Sequence, residues 1–153
     1  MSYISRIQSI IQNKLAPRAV GATVGLGGVA ASSSSGSFST SSGSYVSITN
    51  LSVTITTSGR PLFIGLIADP GSSSSEFIGG GSNIQAEFQF VRGSTSLGQM
   101  FLGLISNVGS FPVSICNTLD FVSAGTYTYT AQMKLSAGTS VGVNGAILVA
   151  YEL

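Results

Sequence analysis

Histidine is absent from this 153-residue sequence. With it go the commonest general base, the usual nucleophile–imidazole triads and the commonest metal ligand. Charge is scarce too. Asp, Glu, Lys and Arg make up 7% of the chain, against about 25% in an average soluble domain. A net charge of +1 supplies no field for nucleic acid, whose phosphates need several clustered cations. The lone Cys116 cannot close an intramolecular disulfide. Its setting, Val113-Ser114-Ile115-Cys116, reads as an apolar strand, so the thiol is expected to be buried, with no imidazole to activate it. No apolar run approaches the roughly 20 residues that span a bilayer. The segment Met1 to Leu15 carries Arg6 and Lys14 within its apolar pattern and has no continuous apolar stretch. It does not read as a secretory leader, and release by lysis is the expected route out of a cell.

What is present fits one domain, large enough to bury a core without disulfide or metal staples. Mean hydropathy is +0.46. A chain this apolar and uncharged self-associates unless subunits cover each other, because little colloidal repulsion opposes contact. Three zones separate by composition. Tyr3 to Leu15 has Ile4, Ile7, Ile11 and Leu15 at helical spacing. Ser2 is a candidate N-cap, and Ala16-Pro17 ends the pattern because the residue before proline is pushed out of the α region. Arg6, Lys14 and Arg18 make this short helix basic. Val20 to Ser44 is rich in Gly, Ala and Ser and reads as a linker or extended arm.

From Tyr45 onward the pattern is that of short strands. Leu51, Val53 and Ile55 alternate with polar residues, as do Ile84, Ala86, Phe88 and Phe90, and later Tyr127, Tyr129, Ala131 and Met133. That period of two marks half-buried strands. Leu62 to Ala68 is continuously apolar and predicts a strand covered on both faces; Leu97 to Ile105 and Phe111 to Ile115 predict two more. Asn144-Gly145 between apolar runs predicts a tight hairpin with a type I′ turn. Ala146 to Tyr151 is apolar on both faces, which predicts burial against sister chains. The competing reading is a central strand of a monomeric sandwich. The fold class is all-β, a sandwich or jelly roll of about eight to ten strands with a short N-terminal helix and arm. The division expected is residues 1–36 for helix and arm and 37–153 for the jelly-roll domain.

Phe121-Val122-Ser123-Ala124-Gly125-Thr126-Tyr127-Thr128-Tyr129 resembles the strand signature of C1q- and TNF-like jelly rolls. The closing stretch Val143 to Leu153 is similar to the last strand of such domains. Ile48 to Pro61 resembles small jelly-roll proteins of phages and cyanobacteria. The resemblance covers roughly residues 38–153 and implies a trimer built around aromatic and aliphatic residues, for which Tyr127, Tyr129, Leu148 and Tyr151 are the candidates. It further implies a structural virion protein of a tailed phage, cyanophages included. Expected there is a homotrimeric capsid cement or decoration protein on the capsid surface, partnered with the major capsid protein. The alternative is a receptor-binding knob at a tail-fibre or spike tip. The loops Gly71 to Ser82 and Gly93 to Ser96, with Glu76 and Phe77, would then meet host glycans. No collagen stalk or calcium-ligating acidic cluster is present.

The remaining motifs read as structural, and the chain is expected not to be an enzyme, with no cofactor and no metal. The five carboxylates Asp69, Glu76, Glu87, Asp120 and Glu152 are scattered; a glycosidase-like pair of Glu76 and Glu87 is not demanded by spacing. A Ser-Lys dyad on Lys14 or Lys134 has no supporting motif. Gly25-Leu26-Gly27-Gly28-Val29-Ala30 fits a dinucleotide fingerprint formally but opens into serines rather than a helix. Asn50-Leu51-Ser52 is a glycosylation sequon by pattern. Arg60 and Arg92 are expected at strand ends or subunit contacts. The N-terminal stripe of Ile4, Ile7, Ile11 and Leu15, with Arg6, Lys14 and Arg18, reads as an anchor on a larger assembly. The other readings of that stripe are a cap on the chain's own sandwich and, more weakly, a membrane-surface helix.

Overall fold

The computed structural model describes residues 28–81, 83–104 and 110–153. The helix expected over Tyr3 to Leu15, and all seven candidate anchor residues, lie outside them. In chain order the strands are β1 (Val29–Ala31), β2 (Ser37–Thr40), β3 (Val46–Thr57), β4 (Leu62–Ala68), β5 (Glu76–Gly80), β6 (Ile84–Arg92), β7 (Thr95–Leu104), β8 (Ser110–Pro112), β9 (Asn117–Asp120), β10 (Gly125–Ala137), β11 (Ser140–Asn144) and β12 (Ala146–Glu152). The fold is all-β. Three four-stranded antiparallel sheets are ordered β1-β12-β4-β9, β2-β11-β5-β8 and β3-β10-β6-β7. No helix among the described residues is long and apolar enough to cross a membrane.

The sheet β3-β10-β6-β7 follows the period of two read from the sequence. Leu51, Val53 and Ile55 are buried while Ser52, Thr54 and Thr56 face solvent. Those three hydroxyls meet Thr130, Thr128 and Thr126 across the β3–β10 ladder at 3.1, 2.8 and 2.9 Å. Such cross-strand pairs each contribute roughly 0.2–1 kcal/mol and fix the register. From β6, Phe88 enters the core edge-on to Phe77 (5.6 Å) and Phe90 (5.0 Å). The core is one cluster fed by all three sheets.

The other two sheets lie end to end. β11 and β12 are separated by Gly145 alone, and they do not pair with each other. β11 lies between β2 and β5, β12 between β1 and β4. The hairpin expected at Asn144-Gly145 is therefore not formed. A type I′ turn needs positive φ at both central residues, and only Gly145 (φ 54) has it. The chain instead runs straight on with a kink. Gly145 donates its N–H to the Gly36 carbonyl (3.0 Å), and its own carbonyl accepts from Asp69 N–H (2.8 Å) and Ser75 Oγ (2.7 Å). Neighbouring columns break at the same level: β1 into β2, β4 into β5, β9 into β8. The result is four long columns facing the β3-β10-β6-β7 sheet.

Two further expectations are corrected. The described part of the Gly/Ala/Ser-rich arm is not a free linker. Val29–Ala31 pairs with β12 and Ser37–Thr40 with β11, and the bonds Ser32 N–H to Leu148 O and Ser35 N–H to Ala146 O bridge the gap. An edge strand needs only backbone to pair, so its small polar side chains gave no strand signal. Phe111 to Ile115 is likewise not a strand throughout; β8 ends at Pro112 and Val113–Ile115 is a 3-10 turn. Cys116 follows it, fully buried and unpaired with another cysteine. Burial pushes its thiol up to about 12. At pH 8 only about one molecule in ten thousand then carries a thiolate. A disulfide reagent is expected to label the native protein hardly at all and to take up one equivalent on denaturation. Rapid native labelling would contradict the buried placement.

Candidate interaction faces

The β1-β12-β4-β9 and β3-β10-β6-β7 sheets present chemically opposite outer faces. On β12, Ala146, Leu148 and Ala150 point into the core, leaving Ile147, Val149 and Tyr151 on the other side. On β4, Leu62, Ile64 and Leu66 point in, and Phe63, Gly65 and Ile67 point out. Pairing aligns these outward residues into rows: Val29, Tyr151, Phe63 and Leu119; then Ala31, Val149, Gly65 and Asn117; then Ile147 and Ile67. Only Asn117 is polar. The strand expected to be covered on both faces is covered by this chain on one. Val29 is 79% exposed, Leu119 48% and Ile67 42%.

The face is flat because of Gly65. A Cβ there would stand 2.6 Å from Cε1 of Phe63, so the Phe63 ring lies down over the glycine. It stacks on Tyr151 with centroids 5.0 Å apart and planes 26° from parallel. Four strands about 4.8 Å apart and rows about 6.8 Å apart give a footprint of roughly 300–400 Å². That matches the largest apolar patch on a typical monomer, which is often functional.

The outer face of β3-β10-β6-β7 is polar, and its side chains are bonded to one another. Ser96 Oγ donates to Gln89 Oε1 (2.9 Å), Gln89 Nε2 to Gln132 Oε1 (2.8 Å) and Gln132 Nε2 to Ser47 Oγ (3.4 Å). The adjacent row centres on Glu87. Its carboxylate accepts from Ser136 Oγ (2.8 Å) and Tyr45 Oη (3.0 Å) and pairs with Lys134 Nζ (3.0 Å). The Ser136 hydroxyl first, then Lys134, hold Glu87 below the usual carboxylate range. Burial first, then the hydrogen bond to Glu87, pushes the Tyr45 phenol up to about 12. Lys134 Nζ also lies 4.9 Å above the Tyr45 ring. Lys134 is thus a paired cation rather than the base of a Ser-Lys dyad.

At one end of the sandwich Asp120 is buried with two donors. Arg92 Nη1 lies 2.5 Å from its Oδ2 and Tyr129 Oη donates to the same oxygen at 2.8 Å. Burial first, then the Asp120 carboxylate, raises the Tyr129 phenol. Arg92 ends β6, as expected of it, with its guanidinium carbon 5.6 Å from the Tyr127 ring centre. Nearby, the Glu152 carboxylate accepts from the Thr57 hydroxyl and from the Ser58 amide and hydroxyl, tying the end of β12 to β3.

The residues named for a trimer interface are thus split. Tyr129 and Leu148 are fully buried in the chain's own core and have no surface to offer a second copy. Tyr127 is half-buried at the sandwich end, with its hydroxyl on the Ser123 carbonyl (3.1 Å). Tyr151 alone stands on the apolar face, beside Phe63, Val29, Ile67 and Leu119, which sequence reasoning missed. Phe77, offered to host glycans with Glu76, is fully buried and cannot meet them. Glu76 and Glu87 stand in different sheets, on β5 and β6. Asn50 of the sequon has φ 61 and donates Nδ2 to the Ser34 carbonyl (3.2 Å). No group of three or more Cys, Asp or Glu among the described residues gathers to hold a metal.

No known protein family matches the chain, and no curated protein matches it. Among solved structures it is similar to the enzymatically active domain of tailspike protein 4 of bacteriophage CBA120, at 8% identity and a TM-score of 0.28, over 84% of this chain and 20% of that one. It is also similar to the VP2 subviral particle of infectious bursal disease virus, at 14% identity and a TM-score of 0.28, over 81% of this chain and 36% of that one. The chain spans about a fifth and about a third of their lengths.

Proposed function

We propose that the chain is a structural virion protein: a jelly roll that assembles as a homotrimer through its apolar sheet face and serves as a capsid cement or decoration protein. The jelly-roll reading rests on strand order. Counting β1/β2, β4/β5, β8/β9 and β11/β12 as single columns gives eight columns, ordered 1-8-3-6 against 2-7-4-5, the connectivity of a two-sheet Greek-key roll. The observation that carries assembly is the uncovered apolar face of β1-β12-β4-β9. The number three comes from the resemblance of Phe121 to Tyr129 and Val143 to Leu153 to C1q- and TNF-like domains, and the virion setting from that of Ile48 to Pro61 to small jelly-roll proteins of phages and cyanobacteria.

A stable interface takes about 800 Å² from each partner. The apolar rows therefore form its core and surrounding residues its rim. The mechanism is mechanical: each trimer bridges several shell subunits, and the surface buried between them opposes outward pressure on the shell. The second reading, a receptor-binding knob at a fibre or spike tip, is favoured by one observation. Phe101 is 76% exposed on the polar face, opposite the side used for assembly.

Light scattering on the purified chain is expected to give three times its mass of 15.5 kDa. Phe63→Glu, between Tyr151 and Leu119 on the apolar face, is expected to give a folded monomer. A wild-type monomer, or a variant that stays trimeric, would overturn assembly through this face. Quantitative mass spectrometry of virions separates the two roles. Abundance near that of the major capsid protein supports decoration, whereas a few copies per particle supports the tip.

A further inference from the structure

We propose that the outer face of the β3-β10-β6-β7 sheet carries a binding site for a neutral saccharide, with Phe101 as its platform. The inference goes beyond the shell role and does not depend on it. Phe101 lies on the edge strand β7 in register with Glu87 of β6, so its ring and that carboxylate stand on the same face. Two residues along, no described residue comes within 4 Å of where a Cβ of Gly103 would be. Gln99, two residues the other way, is exposed and pairs with Gln89. An aromatic this exposed forgoes the stabilisation that burial would give it. Among the described residues its neighbours on this face are hydrogen-bonding groups.

Those groups are already held in place. Glu87 is fixed by Tyr45, Lys134 and Ser136. An ionised carboxylate offers about four acceptor positions, so about one remains for a ligand hydroxyl. The ammonium of Lys134 carries three donors, of which the pair with Glu87 uses one. Glu87 stays ionised at neutral pH because its hydrogen bonds favour the charged form.

Ligand chemistry follows from this inventory. Nucleic acid needs clustered cations, but the row has one, and it is paired. A protein partner needs an apolar core of a few hundred Å², whereas this site offers one ring. A neutral sugar fits both halves. The C–H face of a pyranose lies on the phenyl ring, and its hydroxyl edge reaches Glu87, Lys134 and Gln99.

The test uses the full chain and a panel of hexose and N-acetylhexosamine oligosaccharides, with acidic oligosaccharides in parallel, followed by titration of the best ligand by NMR. At least one neutral member is expected to bind with a dissociation constant of about 1 mM or tighter. Phe101→Ala is expected to weaken it at least tenfold and Glu87→Gln several-fold. The Phe101→Ala melting temperature and native mass should not change, because the removed ring is exposed. Binding of acidic members only would overturn the neutral class. No saccharide binding, or binding indifferent to Phe101→Ala, would overturn the site. Shell-protein capture lost in Phe101→Ala without any saccharide signal would give the face to a protein instead.

Discussion

Gly145→Ala is expected to cost about 3 kcal/mol of folding stability. Two terms add. The residue has φ 54, and a side chain held in that region costs about 1–3 kcal/mol. There is also no room. The new Cβ would stand 2.3 Å from Ser72 Oγ, 2.3 Å from the Ser74 carbonyl oxygen and 2.5 Å from Ser72 Cβ. One of these atoms is backbone, so the 69–75 loop has to shift, and overpacking of this kind costs about 1–3 kcal/mol. For a domain of this size the loss corresponds to a fall in Tm of about 6–12 °C. Gly93→Ala is the control. It also has a positive φ of 58 but nothing within 4 Å, so it should lose only the conformational part. If urea denaturation gives both variants the same loss, the crowding at Gly145 is not real.

The second large effect falls on Asp120. Asp120→Ala leaves the Arg92 guanidinium and the buried Tyr129 hydroxyl without their shared acceptor. Removing one partner of a fully buried ion pair costs about 3–5 kcal/mol. The Arg92 side chain retains 26% exposure, and water recovers part of that, so a loss of about 3 kcal/mol is expected. Tyr129→Phe keeps the ion pair and removes one hydrogen bond, and should cost about 1 kcal/mol. Asp120→Asn keeps an acceptor and should fall between. Should Asp120→Ala cost no more than the 0.5 kcal/mol of an ordinary surface change, the cluster does not hold the sandwich end together.

The sequence revealed one sheet far better than the other, for a physical reason. β3, β6 and β10 have one wet and one dry face, so their alternation survives in the composition of neighbouring residues. β4 and β12 are dry on the inside and apolar on the outside. Leu62 to Ala68 therefore shows no period, and which of its residues faced the core was decided only by pairing with β12 and β9. Asn144-Gly145 carries the same letters for a hairpin as for a kink. The choice was made by β2 and β5, which lie more than sixty residues away in the chain and capture β11. The ring of Tyr129 and the branched side chain of Leu148 suit a symmetry axis and a core equally, and the fold places both in the core. Phe101 was hidden by a bulge. Ser96 and Gln99 face the same side although three apart, because β7 carries one residue more than β6 there and Gly98 (φ 116) absorbs it. Parity counted from the start of the strand assigns Phe101 to the wrong face.

The unbroken run of β11 through Gly145 into β12 also decides how the domain carries a load. Ser140 to Glu152 traverses both end-to-end sheets on one backbone, clasped by a column on either side along its length. Antiparallel ladder bonds stand perpendicular to the strands, so a pull along this strand strains them in shear, many at once. In the hairpin that the sequence implied, the same pull would peel them one after another from the open end. A tether attached at either end of this strand would therefore meet a stiff rod rather than a zipper.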